Sequence, residues 1–256
     1  MQCFVINMTK DTARREQIER QLRSIGLQYE IFPAVNGRAL SNDEMARCYD
    51  PVRAARTKRP MSAGEVGCAL SHQGVYRWIV ERGLAGALVL EDDAQLDPGI
   101  QAVLTALEPL LATEKPLVVL LSHVKLTSYW GTRSLVGRYV LAPALNETYG
   151  AHGYVLNRAA AAALLKHLSP VRLPADFWDQ FRREDLVQVR AVVPYCIGLT
   201  AAAKQTTMGA DTASLNWAAQ AAEEAGWRYL LHRYVYRKFI YQLFVRPFIR
   251  RQAMTW

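Results

Sequence analysis

Gly86-Ala87-Leu88-Val89-Leu90-Glu91-Asp92-Asp93 runs through four consecutive apolar side chains straight into three carboxylates. An apolar run this short reads as a strand buried on both faces, the kind that belongs to a parallel sheet covered by helices. Three adjacent carboxylates repel one another. At the end of an apolar strand they are costly unless a cation or hydrogen-bond donors neutralise them. Continuing the strand's alternation points Glu91 and Asp93 the same way. That makes an acid-x-acid pair able to hold Mg²⁺ or Mn²⁺ through oxygen, and such a cation neutralises a nucleoside-diphosphate leaving group. The plainer reading is a solvated acidic loop.

Outward from this strand the chain alternates strand and helix signals. Phe4 to Ile6 is a short apolar run followed by the polar loop Asn7 to Asp11. An amphipathic helix follows, with Ile18, Leu22 and Ile25 inward and Gly26 at its end. Tyr29 to Val35 reads as a second strand ended by Asn36-Gly37. Ser41 with Glu44, and Ser62 with Glu65, are capping boxes that open helices; the second helix stops at Gly83. Further on come a helix over Ile100 to Leu111, a strand over Leu117 to Leu121, a strand over Tyr154 to Leu156 capped into a helix at Asn157, and a strand over Val189 to Val193. This order predicts an α/β fold with a mainly parallel sheet flanked by helices. Its ligands bind beyond the carboxyl ends of the strands, where Asn7 to Arg15, Glu91 to Asp97 and His123 fall.

Two more stretches carry chemistry. In Ser62 to His72, Gly64 and Gly67 are unfavourable in a helix, and close approach to a phosphate or to another segment explains them. His72 is either a core histidine or a phosphate donor. In Leu173 to Asp179, the spacing of Asp176 and Asp179 places both acids on one helical face. An inverting sugar transfer needs one carboxylate to take the acceptor's proton, and Phe177 and Trp178 suit the apolar face of a sugar. The plainer reading makes Asp176 a helix cap.

A phosphoacceptor receiver domain, which shares an acidic pair after a strand, is excluded. No Asp occurs between Asp97 and Asp176, and the strand at Leu117 to Leu121 ends in Ser122-His123.

The 256 residues are 51% hydrophobic with a net charge of +8, which fits a folded protein with one sizeable core. The four cysteines form no CxxC pair and read as buried free thiols. The N-terminus lacks the basic and apolar regions of a signal peptide. No acidic residue follows Glu224, while basic and aromatic residues interleave from Trp227 to Arg251. That composition favours a membrane surface over nucleic acid. The chain is therefore divided into a catalytic domain, residues 1–215, and a helical basic tail, residues 216–256, in contact with an anionic membrane.

Several motifs, taken together and in order, resemble glycosyltransferase family 25. They are Val5-Ile6-Asn7, Arg14-Arg15, Phe32 to Gly37, Gly64 to His72, Leu90 to Asp93, Gly153-Tyr154, Asn157 to Ala159, Pro174 to Asp176 and Thr207 to Gly209. That family includes bacterial lipopolysaccharide and lipooligosaccharide galactosyltransferases and resembles the collagen galactosyltransferases. The resemblance implies a GT-A-like fold of Rossmann type, a UDP-sugar donor, Mn²⁺ or Mg²⁺, and inversion at the anomeric carbon. It implies Glu91 and Asp93 as metal ligands and Asp92 as part of the diphosphate motif. Asn7, Arg14, Gly64, Glu65, Gly67, Ser71 and His72 are expected at the donor, and Asp176 and Asp179 as catalytic acids. The expected acceptor is a lipid-linked oligosaccharide, at the inner face of the bacterial inner membrane. The alternative is a non-catalytic membrane-surface module that binds carbohydrate or nucleotide sugar on the same fold. His152 departs from the family's small residue, and Trp130 to Thr148 carries no familiar pattern, so acceptor choice is expected there.

Overall fold

The apolar run at the N-terminus becomes a strand whose side chains divide between two cores: Cys3 and Val5 enter one, Phe4 and Ile6 the other. Gly86 to Leu90 does the same, with Leu88 and Leu90 on the first face and Ala87 and Val89 on the second. Period-two alternation in a strand apolar throughout requires cover on both sides. A computed structural model describes residues 1–57, 59–146, 148–201, 203 and 246–252. The elements are, in order, β1 (Gln2–Asn7), α1 (Thr12–Ser24), β2 (Tyr29–Pro33), α2 (Asn42–Cys48), α3 (Pro51–Thr57), α4 (Ala63–Glu81), β3 (Gly86–Glu91), β4 (Ala94–Leu96), α5 (Ile100–Leu107), β5 (Leu117–Leu120), β6 (Leu126–Ser128), β7 (Arg133–Val136), β8 (Tyr139–Pro143), β9 (Gly153–Asn157), α6 (Arg158–His167), α7 (Trp178–Arg183), β10 (Gln188–Val193), β11 (Ile197–Leu199) and β12 (Ile249–Arg251).

The main sheet has eight strands in the order β2-β1-β3-β9-β5-β10-β8-β7. β9 and β8 run against the other six, so the sheet is mixed and mainly of one direction. The antiparallel β9 between β3 and β5 was not legible in the sequence, because a short apolar run says nothing of direction. Helices α1 and α5 cover one face; α4, α6 and α7 cover the other.

Local signals hold where they have a mechanism. Both capping boxes form at Ser41 and Ser62, and the Asn157 side chain caps α6 by accepting from the Ala160 N–H. Gly26 and Gly83 end their helices with φ of +68° and +63°, a backbone region costly for any side chain. All four cysteines are free thiols.

The tail expected as helix over residues 216–256 lies outside the described residues except at 246–252, as does the Thr207 to Gly209 motif. At Ile249–Arg251 the chain is a strand, not a helix, and pairs antiparallel with β6. The His123 ring, expected near the ligand, is bonded to the Gln252 carbonyl at 2.9 Å. Among the described residues no helix is long and apolar enough to cross a membrane.

The register sets the site. Ile6 lies opposite Glu91 and Asn7 opposite Pro33, so β1, β2 and β3 end together and their following loops share one edge.

Candidate active site

A cleft of about 870 Å³ opens at that edge. Residues of segments 6–14, 34–38, 59–72, 91–93, 149–152 and 174–177 line it, with Leu199 and Ala203. β3 stops at Glu91, and Asp92-Asp93 make a turn into β4. The alternation that paired Glu91 with Asp93 therefore ends one residue early, and the turn brings all three acids to the cleft. The Thr200 N–H holds this turn through the Asp93 carbonyl at 2.9 Å.

Each carboxylate has a different environment. Asp92 accepts from Asn7 Nδ2 at 2.8 Å and from Arg14 at 3.1 Å. Burial raises its pKa, and these two bonds only partly offset the rise. Asn7 and Arg14 thus hold Asp92 in place; Asn7 is not among the lining residues and acts through Asp92, whereas Arg14 also lines the cleft itself. Glu91 faces His72 Nε2 at 3.2 Å. Burial opposes its ionisation, but the His72 contact together with the charges of His72, His152 and Arg14 holds the pKa below the usual range. An ionised Glu91 only accepts, so Nε2 carries a proton, and Nδ1 is hydrogen-bonded with the Tyr154 hydroxyl, 2.7 Å away. Tyr154 in turn meets the Tyr76 hydroxyl at 2.8 Å. His72 is buried, as the core reading has it, and it also lines the cleft.

Asp93 differs. Its Oδ1 is buried without a hydrogen-bond partner among the described residues, and Arg14 reaches its Oδ2 only at 3.9 Å. Burial first, then the charge of Glu91, pushes its pKa to about 7. A buried oxygen with no partner calls for an ion or a proton. Hard carboxylate oxygens at Asp93 and Glu91 fit Mg²⁺ or Mn²⁺. Cys68, His72 and Glu91 also gather, their ligand atoms within 4.8 Å of one another. That set is softer, and the imidazole is already committed on both nitrogens.

The expected donor residues on α4 divide. Gly64, Glu65, Ser71 and His72 line the cleft. Glu65, however, is spent on the Ser62 cap and on Arg59, whose two guanidinium contacts are 3.0 and 2.6 Å. Gly67 does not line the cleft; a Cβ there would lie 2.5 Å from the Gly37 nitrogen and 2.6 Å from the Val35 carbonyl. Its missing side chain serves backbone packing, not a phosphate. Ser71 donates to the Gly67 carbonyl at 2.7 Å and accepts from the Val35 N–H at 2.8 Å, so its hydroxyl pins α4 to the same loop.

Asp176, also in the lining, accepts from the Gly150 N–H at 3.1 Å. Burial raises its pKa and that bond partly offsets the rise. α7 begins at Trp178 without a side-chain cap, so Asp176 precedes the helix and is no cap. The shared helical face expected of Asp176 and Asp179 therefore does not exist. Asp179 lies outside the cleft lining, its two oxygens bound by Arg182 at 2.8 Å and Arg183 at 2.6 Å. Trp178 is fully buried and donates to the Gly150 carbonyl at 2.9 Å, leaving Phe177 as the aromatic of this segment in the cleft. Sequence reading missed Lys10, Arg38, Tyr149 and His152, all lining residues. Isolated basic and aromatic residues in loops carry no spacing that marks them, and burial lowers the His152 pKa only in the folded chain.

A glycosyltransferase 25 family member of Drosophila melanogaster is 36% identical over 99 residues, 37% of this chain and 16% of that protein. One of Drosophila pseudoobscura pseudoobscura is 39% identical over 107 residues, 39% of this chain and 16% of that protein. Procollagen galactosyltransferase 2 of Homo sapiens is 35% identical over 102 residues, 37% of this chain and 16% of that protein. The match thus spans about one sixth of each relative's length. Among solved structures, a glycosyltransferase involved in glycosylation of the major capsid of PBCV-1 shares 12% identity over 64% of this chain and 62% of its own, with a TM-score of 0.31. Mannose-1-phosphate geranyltransferase from Thermus thermophilus shares 13% over 77% and 75%, with a TM-score of 0.39. These scores are too low to bear on the site. The family model described as glycosyltransferase family 25 (LPS biosynthesis protein) matches residues 1–178, the segment that holds β1, α4, the acidic triplet and Asp176. The chain belongs to glycosyltransferase family 25.

Proposed function

We propose that this cleft transfers a hexose, galactose by the human relative's name, from a UDP-sugar to the terminal sugar of a lipid-linked oligosaccharide, with inversion. The buried Oδ1 of Asp93, without a partner among the described residues and set among two further carboxylates in a cleft lined by Arg14, carries the reading. A divalent cation held there by Glu91 and Asp93 would neutralise the departing diphosphate. Lys10 and Arg38 add positive charge to the cleft lining. Asn7 and Arg14 fix Asp92 and so the turn that presents Asp93. His72, backed by Tyr154 and Tyr76, orients Glu91.

Asp176 lines the same cleft. As base it takes the proton of the acceptor hydroxyl while that oxygen bonds to the anomeric carbon and the bond to the diphosphate breaks. Attack opposite the leaving group inverts the centre. The raised pKa of Asp176 suits a proton acceptor better than a fully solvated carboxylate would.

The family's description as an LPS biosynthesis protein supports a lipopolysaccharide or lipooligosaccharide acceptor, although the relatives named above are eukaryotic. The basic, aromatic composition after Trp227 supports a position on the inner face of the bacterial inner membrane. The test is UDP release across a panel of UDP-sugars, with Mn²⁺ and with EDTA. Release from UDP-galactose that EDTA stops and Mn²⁺ restores is expected; equal release in EDTA overturns the metal, and none from any UDP-sugar overturns the donor.

A further inference from the structure

We infer that Tyr149 and Phe177 form the platform on which the acceptor's sugar ring stacks, next to the Asp176 carboxylate; this rests on Asp176 being the base of the proposed transfer. Tyr149 is 46% exposed, unusual for a large aromatic inside a cleft. Its ring meets that of Phe177 edge to face, with centroids 5.9 Å apart. Both rings line the cleft, and among the described lining residues they are its only Phe, Tyr or Trp side chains.

Their placement is fixed by the backbone around the carboxylate. Gly150, with φ of +96°, donates its N–H to Asp176 at 3.1 Å, and its carbonyl accepts from the buried Trp178 indole at 2.9 Å. Tyr149-Gly150 and Asp176-Phe177 are thereby clamped together, so each ring is one residue from a partner in the Gly150–Asp176 bond. A hydroxyl that gives its proton to Asp176 brings its own sugar to these rings.

The lining segments differ in chemistry. Lys10, Arg14, Arg38 and Arg59 come from other lining segments than this pair and offer a diphosphate its counter-charge. Segments 149–152 and 174–177 contribute no Lys or Arg to the described lining. An aromatic edge beside a carboxylate is what a neutral sugar uses: C–H groups pack on the ring while a hydroxyl bonds the acid.

The experiment measures two affinities on the full chain. Binding of the methyl glycosides of galactose, glucose and N-acetylglucosamine is read by saturation-transfer NMR, and UDP binding with Mn²⁺ by calorimetry. At least one glycoside is expected to bind the wild type, about tenfold more weakly to Tyr149→Ala and equally well to Tyr149→Phe, with UDP affinity alike in all three. In transfer assays the Tyr149→Ala loss is expected in acceptor KM rather than kcat. Glycoside binding that survives Tyr149→Ala, or that the wild type lacks altogether, overturns the platform. Loss of UDP affinity in Tyr149→Ala overturns it in favour of nucleobase stacking. A wild type that binds a glycoside in this Tyr149-dependent way, yet releases UDP from no UDP-sugar, supports the platform and sinks the donor reading instead.

Discussion

Asp93 shows how one residue can serve function at the expense of the fold. Its carboxylate is buried beside Glu91 and its pKa lies at about 7, above the ordinary value for Asp. The folded chain therefore holds the proton more tightly than the unfolded chain does. Its contribution to stability is fully present below the unfolded pKa and is lost as pH rises through about 7. Asp93→Asn removes the charge that opposes folding. In EDTA at pH 8 it is expected to melt a few degrees above the wild type, and by less at pH 5, as calorimetry will read. The same variant is expected to lose about 10²–10³ in transfer rate, and added Mn²⁺ should raise the melting temperature of the wild type but not of the variant. A variant that melts lower at pH 8 contradicts the assigned cost of the Asp93 charge. Asp176 and Asp179 form a second contrast. Asp176→Asn should lower kcat by about 10²–10⁴ with UDP affinity kept. Asp179→Asn, whose parent is paired with Arg182 and Arg183 away from the cleft, should keep kcat.

At the scale of elements, the N-terminal half of α4 does most to build the cleft. Its capping box starts the helix at Ser62, Gly67 lets it touch the loop after β2, and Ser71 ties it there. One turn past that contact, His72 reaches Glu91. Gly67→Ala puts a methyl group 2.5 Å from a backbone nitrogen that belongs to another segment. Over-packing of this kind costs about 1–3 kcal/mol, so the melting temperature should fall, and UDP affinity should fall with it because the loop and α4 line the same cleft. Normal stability in Gly67→Ala would show that the loop yields freely. The capping boxes and Gly67 were visible as local rules in the sequence. The partner of Gly67 was not, because Val35 and Gly37 reach it only when β2 is placed beside β1.

For the whole molecule, the open matter is where it works. Arg228, Arg233, Arg237 and Lys238 lie in a stretch of the sequence without acids. Removing the whole tail is a poor test, because Ile249–Arg251 pairs with β6 and His123 is bonded to Gln252. Truncation would damage the sheet it is meant to leave alone. Changing those four residues to Glu in the full chain keeps β12. Each basic residue near an anionic leaflet is worth about 1 kcal/mol, so sedimentation with phosphatidylglycerol vesicles at low salt should weaken by about 10²–10³-fold, while UDP binding persists. Equal sedimentation of the variant and the wild type would remove the membrane assignment.

Sequence alone determined the features that depend on near neighbours along the chain. These are the doubly buried strands β1 and β3, the helix starts at Ser41, Ser62 and Asn157, and three carboxylates waiting at the end of an apolar strand. Its periodicities and caps act over a few residues, and so they can be read over a few residues. Tertiary structure decided what depends on distant partners. β9 runs antiparallel because its pairing with β3 and β5 sets its direction, not its composition. Asp176 and Asp179 part company because α7 begins only at Trp178, after Gly150 has taken the first carboxylate. The three acids differ for the same reason: Asn7 and Arg14 reach Asp92, His72 reaches Glu91, and none of the described residues reaches Asp93 Oδ1. Burial and partner supply, both properties of the folded chain, turn three like residues into three different groups.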